Sequence, residues 1–281
     1  MQQSDSTQIA DEKEQENTSP EYGICYQSIV PVRNSASHRS EMISQLLFGE
    51  HYTVIAKDEK QEWVLIENAF DKYRGWIDIK QHQQISGDYF SIVDSMRWPV
   101  NKDLVGLVHG QNKVIPIVYG SALPIYNNGV MIIEKEPFKY QGEVIYPLQS
   151  ASYEFLYSVA RFFFAAPYLW GGRTPFGIDC SGFVQQVFKI CGYTLPRDAY
   201  QQAEKGTKVE FAHCMPGDIA FFSNAEGKVT HVGIVCENNR IMHASGEVRI
   251  DKLDAKGICN VYTGEHTHFL YSIRRILAEQ K

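Results

Sequence analysis

The segment Asp179-Cys180-Ser181-Gly182-Phe183-Val184 sets a thiol among small residues, and two imidazoles follow it: His231, 51 positions on, and His243, 12 further. A thiol, a base and a group that orients the base are what covalent catalysis on an amide requires. Cys180, Phe183, Val184, Val187, Phe188 and Cys191 fall at i, i+3, i+4, i+7, i+8 and i+11, an apolar stripe that ends at Gly192. This spacing predicts a helix opened by Cys180. Unpaired N–H groups and the positive end of the helix dipole favour an anion there, so the thiol is expected to ionise below its usual value of about 8.5. An imidazolium nearby would extend this to a Cys–His ion pair.

The elements that must present the imidazoles read as strands. In Thr230-His231-Val232-Gly233-Ile234-Val235-Cys236, apolar Val232, Ile234 and Cys236 alternate with His231, Gly233 and Val235, the period of a strand with one strongly apolar face. Asn238-Asn239 is a turn signal, and the chain returns through Arg240-Ile241-Met242-His243. A plain two-residue turn puts the histidines on opposite faces. A three-residue loop or a bulge sets His243 across from Gly233, where it can hydrogen-bond His231 and hold the tautomer that leaves the other nitrogen facing Cys180. This second register is the expectation. Cys191, Cys236 and Cys259 read as buried core residues. Cys180 differs from them, because the aromatic and glycine-rich Pro167-Tyr168-Leu169-Trp170-Gly171-Gly172-Arg173 leads up to it.

Taken together, DCSGFV at Cys180, HVGIV at His231, MHAS at His243 and Pro216-Gly217-Asp218-Ile219-Ala220-Phe221-Phe222 resemble the NlpC-type cysteine peptidase family over residues 148–281. The resemblance implies an α+β fold with a papain-like core, Cys180 as nucleophile, His231 as base and His243 as the orienting residue. It also implies that Tyr168 helps the Cys180 backbone N–H form an oxyanion hole, and that Asp179 and Ser181 contact the substrate's ammonium and polar groups. Family members cleave bacterial cell-wall stem peptides, typically between D-γ-glutamate and a diamino acid.

Ahead of this region, short apolar runs separated by polar turns replace helical periodicity: Ile29 to Val32, His51 to Ala56, Trp63 to Glu67 and Gly75 to Ile79. They suggest a small barrel and resemble a bacterial SH3-like domain over residues 22–84, with Gly75-Trp76-Ile77 in its closing strand. A weaker second copy is expected over 85–147, through Val114 to Ile117, Ala122 to Tyr126, Val130 to Glu134 and Glu143 to Tyr146. Two SH3-like barrels ahead of a peptidase resemble the γ-D-glutamyl-L-diamino acid endopeptidases, in which an acidic residue and a tyrosine of the first barrel hold the free amine of an N-terminal L-Ala. Glu41 and Tyr73 are the candidates for those roles. In Pro196-Arg197-Asp198-Ala199, Ala199 stands where relatives often carry Ser.

Composition bounds the alternatives. With 281 residues, 44% hydrophobic and 21% charged, the chain is long enough for two or three globular domains. Residues 1–21 hold Asp5, Asp11, Glu12, Glu14, Glu16 and Glu21 against Lys13 alone, hence −5 of the formal −6, and read as a disordered acidic tail. The nearly neutral remainder gives no support for nucleic-acid binding. No apolar run of about 18 residues is present to span a membrane. The start lacks the regions of a signal peptide, so the expectation is the cell envelope or periplasm if an export signal was removed, and otherwise the cytoplasm. Six cysteines without a CxxC pair argue against zinc, and no cofactor or metal is expected. The expected partner is a peptidoglycan-derived stem peptide, taken by a monomer. The rival reading is a non-catalytic peptidoglycan-binding protein built on a degenerate peptidase domain.

Overall fold

Period-two apolar runs become strands here because alternate side chains share a core. A computed structural model describes residues 20–147 and 151–277. Strands β1 (Glu21–Ile24), β2 (Ile29–Arg33), β3 (Met42–Leu47), β4 (His51–Lys57), β5 (Trp63–Asn68), β6 (Arg74–Asp78) and β7 (Gln83–Ile85) form an antiparallel sheet ordered β3-β2-β6-β5-β4-β1-β7. It curls around Cys25, Val30, Val32, Leu46, Tyr52, Val64, Ile66 and Ile77. All four expected runs are strands of this sheet. Strand β3 was not anticipated, because Ser44 and Gln45 interrupt its apolar pattern although both are buried. Of the expected acidic tail, residues 1–19 lie outside the described residues, and Glu21 already opens β1.

Helix α1 (Gly87–Asp94), capped by the Ser86 side chain, buries Tyr89 and Val93 with Val108, Ile115, Ile117, Met131, Phe138 and Tyr140 in a second core. The sheet beside it orders Val114–Val118, Val105–His109, Glu136–Tyr140 and Val130–Ile133, all antiparallel. This differs from the expected strands. Ala122 to Tyr126 forms only the bridge between Ala122 and Val100, since Pro124 has no N–H to pair and Ile125 takes a φ of 50°. Strands Val105–His109 and Glu136–Tyr140 take its place.

In the C-terminal part, helices α2 (Tyr153–Arg161), α3 (Cys180–Ile190) and α4 (Ala199–Gln202) accompany an antiparallel sheet ordered Thr207–Val209, His266–Arg275, Ile219–Ser223, Val229–Cys236, Arg240–Ser245, Glu247–Asp254 and Gly257–Cys259. The last strand also pairs with His266–Arg275, so six strands close into a barrel and have no unpaired edges among themselves. Helix α3 packs Phe183, Val184, Val187 and Phe188 against Phe221, Val232, Ile234 and Met242. A separate cluster of Ala220, Phe222, Val235, Ile241, Leu253, Ile258 and Ile273 fills the other side of the sheet. The helix is buried nearly all round, and its first residue therefore has a fixed position against strand Val229–Cys236.

Candidate functional site

Helix α3 begins where the sequence places it. Asp179 is its N-cap, and one carboxylate oxygen accepts from Gly182 N at 2.7 Å, satisfying one donor of the first turn. A Cβ on Gly182 would lie 2.4 Å from the Gly172 carbonyl, so only glycine lets the helix start rest on that loop. The other Asp179 oxygen accepts from Gly171 N at 2.9 Å, and Arg197 clasps both oxygens. Ser181 Oγ accepts from Arg197 Nη1 at 2.9 Å and donates to Asp179. Asp179 and Ser181 are buried. The resemblance casts both as substrate contacts, but here their polar atoms are committed to one another and to Arg197. These bonds shape the turn that opens helix α3.

The Cys180 thiol accepts a hydrogen bond from the N–H of Val232, the neighbour of His231. Its ionisation departs from the expected depression. Burial pushes the thiol up to about 12, and the adjacent Asp179 charge adds to this, against weaker opposition from Arg197 and the Val232 and Ser181 N–H groups. The helix dipole, worth about 0.3–1 kcal/mol, does not offset that desolvation. Thiol and imidazole are accordingly both neutral at rest, with His231 held well below the ordinary imidazole range by burial and by its histidine neighbours.

The loop Glu237-Asn238-Asn239 joins the two histidine strands, with positive φ at both asparagines. As the three-residue loop requires, His243 lies across from Gly233. A Cβ on Gly233 would meet His243 Cβ at 2.9 Å, so the glycine leaves room for that imidazole. His231 Nε2 lies 2.8 Å from His243 Nδ1, and His243 Nε2 lies 3.0 Å from Asp251 Oδ2. His268 stacks on His231 with ring centroids 4.1 Å apart. Neither Asp251 nor His268 was anticipated. Strand Glu247–Asp254 carries charges at Glu247, Arg249, Asp251, Lys252 and Asp254 and reads as a solvated edge, although Asp251 is only 2% exposed.

Tyr168 hydrogen-bonds Gly246 O through its backbone N–H. Burial, together with the nearby Cys180 and Asp179, raises its phenol's ionisation, so it stays a proton donor. Glu41 and Tyr73 both meet the C-terminal part. Trp170 Nε1 donates to Glu41 Oε1 at 2.6 Å, and Tyr73 Oη donates to Asp198 Oδ1 at 3.2 Å. Gly171 makes the same junction tight, since its φ is +74° and a Cβ there would lie 2.3 Å from Met42 O. Asp198, like Asp251, is an acidic residue that its sequence context does not single out. Partial burial raises its carboxyl, with Arg197 opposing.

Through the Val232 N–H the strand that carries His231 touches the Cys180 thiol, the placement that proton transfer from a thiol to an imidazole requires. The neutral resting pair makes a measurable prediction. Alkylation of Cys180 by iodoacetamide should keep accelerating about tenfold per pH unit beyond pH 9, with the Cys180→Ala background subtracted. A rate already flat above pH 6 would instead reveal a preformed thiolate.

A closed barrel carrying the two histidines, a buried helix carrying the cysteine and an SH3-like sheet at their junction define a peptidase of NlpC/P60 type. Residues 165–267 match the NlpC/P60 family and residues 32–81 match the bacterial dipeptidyl-peptidase SH3 domain. The chain belongs to the NlpC/P60 family and is a peptidoglycan-related peptidase. It is 33% identical over 218 residues to the gamma-D-glutamyl-L-lysine dipeptidyl-peptidase of Bacillus subtilis (strain 168), a match covering 72% of this chain and 71% of that one. To the enzyme of the same name from Bacillus cereus it is 25% identical over 255 residues, covering 81% and 75%. The fold is shared with the crystal structure of an NlpC/P60 family protein from Bacillus cereus, at a TM-score of 0.75 and 20% identity over 92% of this chain and 100% of that one.

Proposed function

We propose that the chain is a cysteine endopeptidase that hydrolyses the γ-D-glutamyl-L-diamino acid bond of released cell-wall peptides bearing a free N-terminal L-Ala. The observation that carries this reading is the seam between the SH3-like sheet and the catalytic part, where Glu41 meets Trp170 and Tyr73 meets Asp198. Asp198 adjoins Arg197, whose guanidinium binds the residues on either side of Cys180. Two carboxylates and a phenol thus line the seam that adjoins the turn before helix α3. A desolvated ammonium needs opposite charge and acceptors of this kind. In an intact stem the L-Ala nitrogen is an amide and carries no charge, so the wall itself is a poor substrate.

In the reaction, Cys180 Sγ attacks the γ-carbonyl carbon as His231 accepts the thiol proton. The oxyanion is met by the Tyr168 hydroxyl and the Cys180 N–H. Collapse breaks the C–N bond, and His231 returns the proton to the departing diamino-acid amine. Water activated by His231 then cleaves the thioester, releasing L-Ala-D-Glu and restoring the thiol.

The test compares L-Ala-γ-D-Glu-diamino acid with its N-acetylated form, reading the released dipeptide by mass spectrometry. Acetylation should lower kcat/KM by about 10²–10³, the effect of leaving buried charge unpaired, and Asp198→Asn should erase most of that preference. Equal cleavage of both peptides would remove amine recognition from the proposal. A product other than L-Ala-D-Glu would assign the site to a different amide.

A further inference from the structure

The pair His231 and His243 does not by itself determine which nitrogen is the base. Each neutral imidazole has one N–H and one bare nitrogen, so two assignments satisfy the 2.8 Å contact equally. In one, His231 Nε2–H donates and Nδ1 is left bare. In the other, His243 Nδ1–H donates, His231 carries its proton on Nδ1, and no lone pair faces the thiol. We propose that Asp251 is the positioning residue that removes this ambiguity, fixing the tautomers of both imidazoles so that His231 Nδ1 is the base; this rests on the cysteine-peptidase reading above.

The argument starts from the surroundings of Asp251. Its side chain is 3% exposed, and Oδ2 lies 3.0 Å from His243 Nε2. Its other oxygen accepts from Arg249 Nη2 at 2.9 Å and Val261 N at 2.8 Å. Burial opposes ionisation, yet bonds from His243, Val261 and Arg249 hold the carboxyl at about 2. A carboxylate can only accept, so a neutral His243 carries its proton on Nε2 and leaves Nδ1 bare. His231 Nε2 must then donate, and its Nδ1 becomes the acceptor. One fixed charge thus sets the protons on two rings in series. Among the described residues His268 is a further titratable group packed on these rings, with centroids 4.1 Å from His231 and 5.9 Å from His243. It has no hydrogen bond to either ring among the described residues and does not enter the relay.

Asp251→Asn tests this sharply because asparagine has a single acceptor oxygen. Arg249 and Val261 N both claim it, leaving the amide NH₂ to face His243 Nε2. That inverts both tautomers and puts a proton on His231 Nδ1. The expected result is a fall in kcat of about 10²–10⁴, as in a triad whose carboxylate is amidated, with KM changed less than about threefold. The loss should vanish in a His243→Ala background, because the relay is already cut there. A multiplicative loss in that background, or kcat within threefold of wild type for Asp251→Asn, overturns the proposal. Tautomers read directly by ¹⁵N NMR on the wild-type chain need no substrate and no variant. His231 Nδ1 should be unprotonated at neutral pH. A protonated Nδ1 overturns the Asp251 role, whereas absence of turnover alone would count against the peptidase reading.

Discussion

Replacing Cys180 by alanine is expected to lower kcat for L-Ala-γ-D-Glu-diamino acid by about 10⁵–10⁶, the scale seen when a covalent nucleophile is removed from a working triad. The fold should persist. The thiol occupies the first position of a helix that is held by its Asp179 cap, by the Gly172 contact beneath Gly182 and by Phe183, Val184, Val187 and Phe188 in the core. Deleting one sulfur therefore costs about 1 kcal/mol of packing, visible as a small change in melting temperature. In the proposed mechanism thiol and imidazole act on one proton, so Cys180→Ala combined with His231→Ala should be scarcely slower than either single variant. Turnover within tenfold of wild type in purified Cys180→Ala, with contaminating activity excluded by iodoacetamide treatment, would eliminate this sulfur as the nucleophile.

The second large effect concerns stability. Glu50→Gln should destabilise the chain by about 3–5 kcal/mol, since it strips the one carboxylate from a buried cluster. Arg173 is fully buried and donates to both Glu50 oxygens at 2.8 and 2.9 Å, and Lys189 of α3 binds the same carboxylate. Gln45 adds its backbone carbonyl to Arg173 and accepts from the Arg173 N–H at 2.8 Å. Burial would raise the Glu50 carboxyl, yet Arg173 and Lys189 hold it at about 2 against an ordinary 4.5. The folded value is depressed, so the stabilisation is complete above about pH 4.5 and drains away as pH falls toward 2. Urea unfolding at pH 7 and at pH 3 checks both statements. The gap between wild type and Glu50→Gln should narrow at the lower pH, and a pH 7 difference below about 1 kcal/mol would mean that the cluster contributes little. Partial deprotonation of Lys189, which burial already makes easier, limits the loss.

Several parts of this molecule were legible in the sequence because their causes are local. The α3 stripe that opens at Cys180 and the Asn238-Asn239 turn declare themselves within a dozen residues, and with them the register that pairs Gly233 with His243. What could not be read depends on distant partners. Arg173 and Glu50 are 123 residues apart, and Trp170 and Glu41 129, so nothing near either residue marks it as half of an ion pair or a junction. Strand β3 was hidden because its polar Ser44 and Gln45 are buried by bonds to Arg197 and Arg173. Asp251 was hidden by the charges on either side of it. The thiol's ionisation was misjudged because a helix terminus is visible in sequence while the depth at which it is buried is not.

The seam at Gly171 also has a consequence for exchanging parts between relatives. With the Met42 carbonyl occupying the space where any side chain on residue 171 would project, and with Arg173 receiving its counter-charge from Glu50, the front and rear modules cannot be grafted onto foreign counterparts as independent cassettes. A chimera should fold only when Gln45, Glu50 and the backbone path through Met42 travel together with Gly171 and Arg173 as one inherited set.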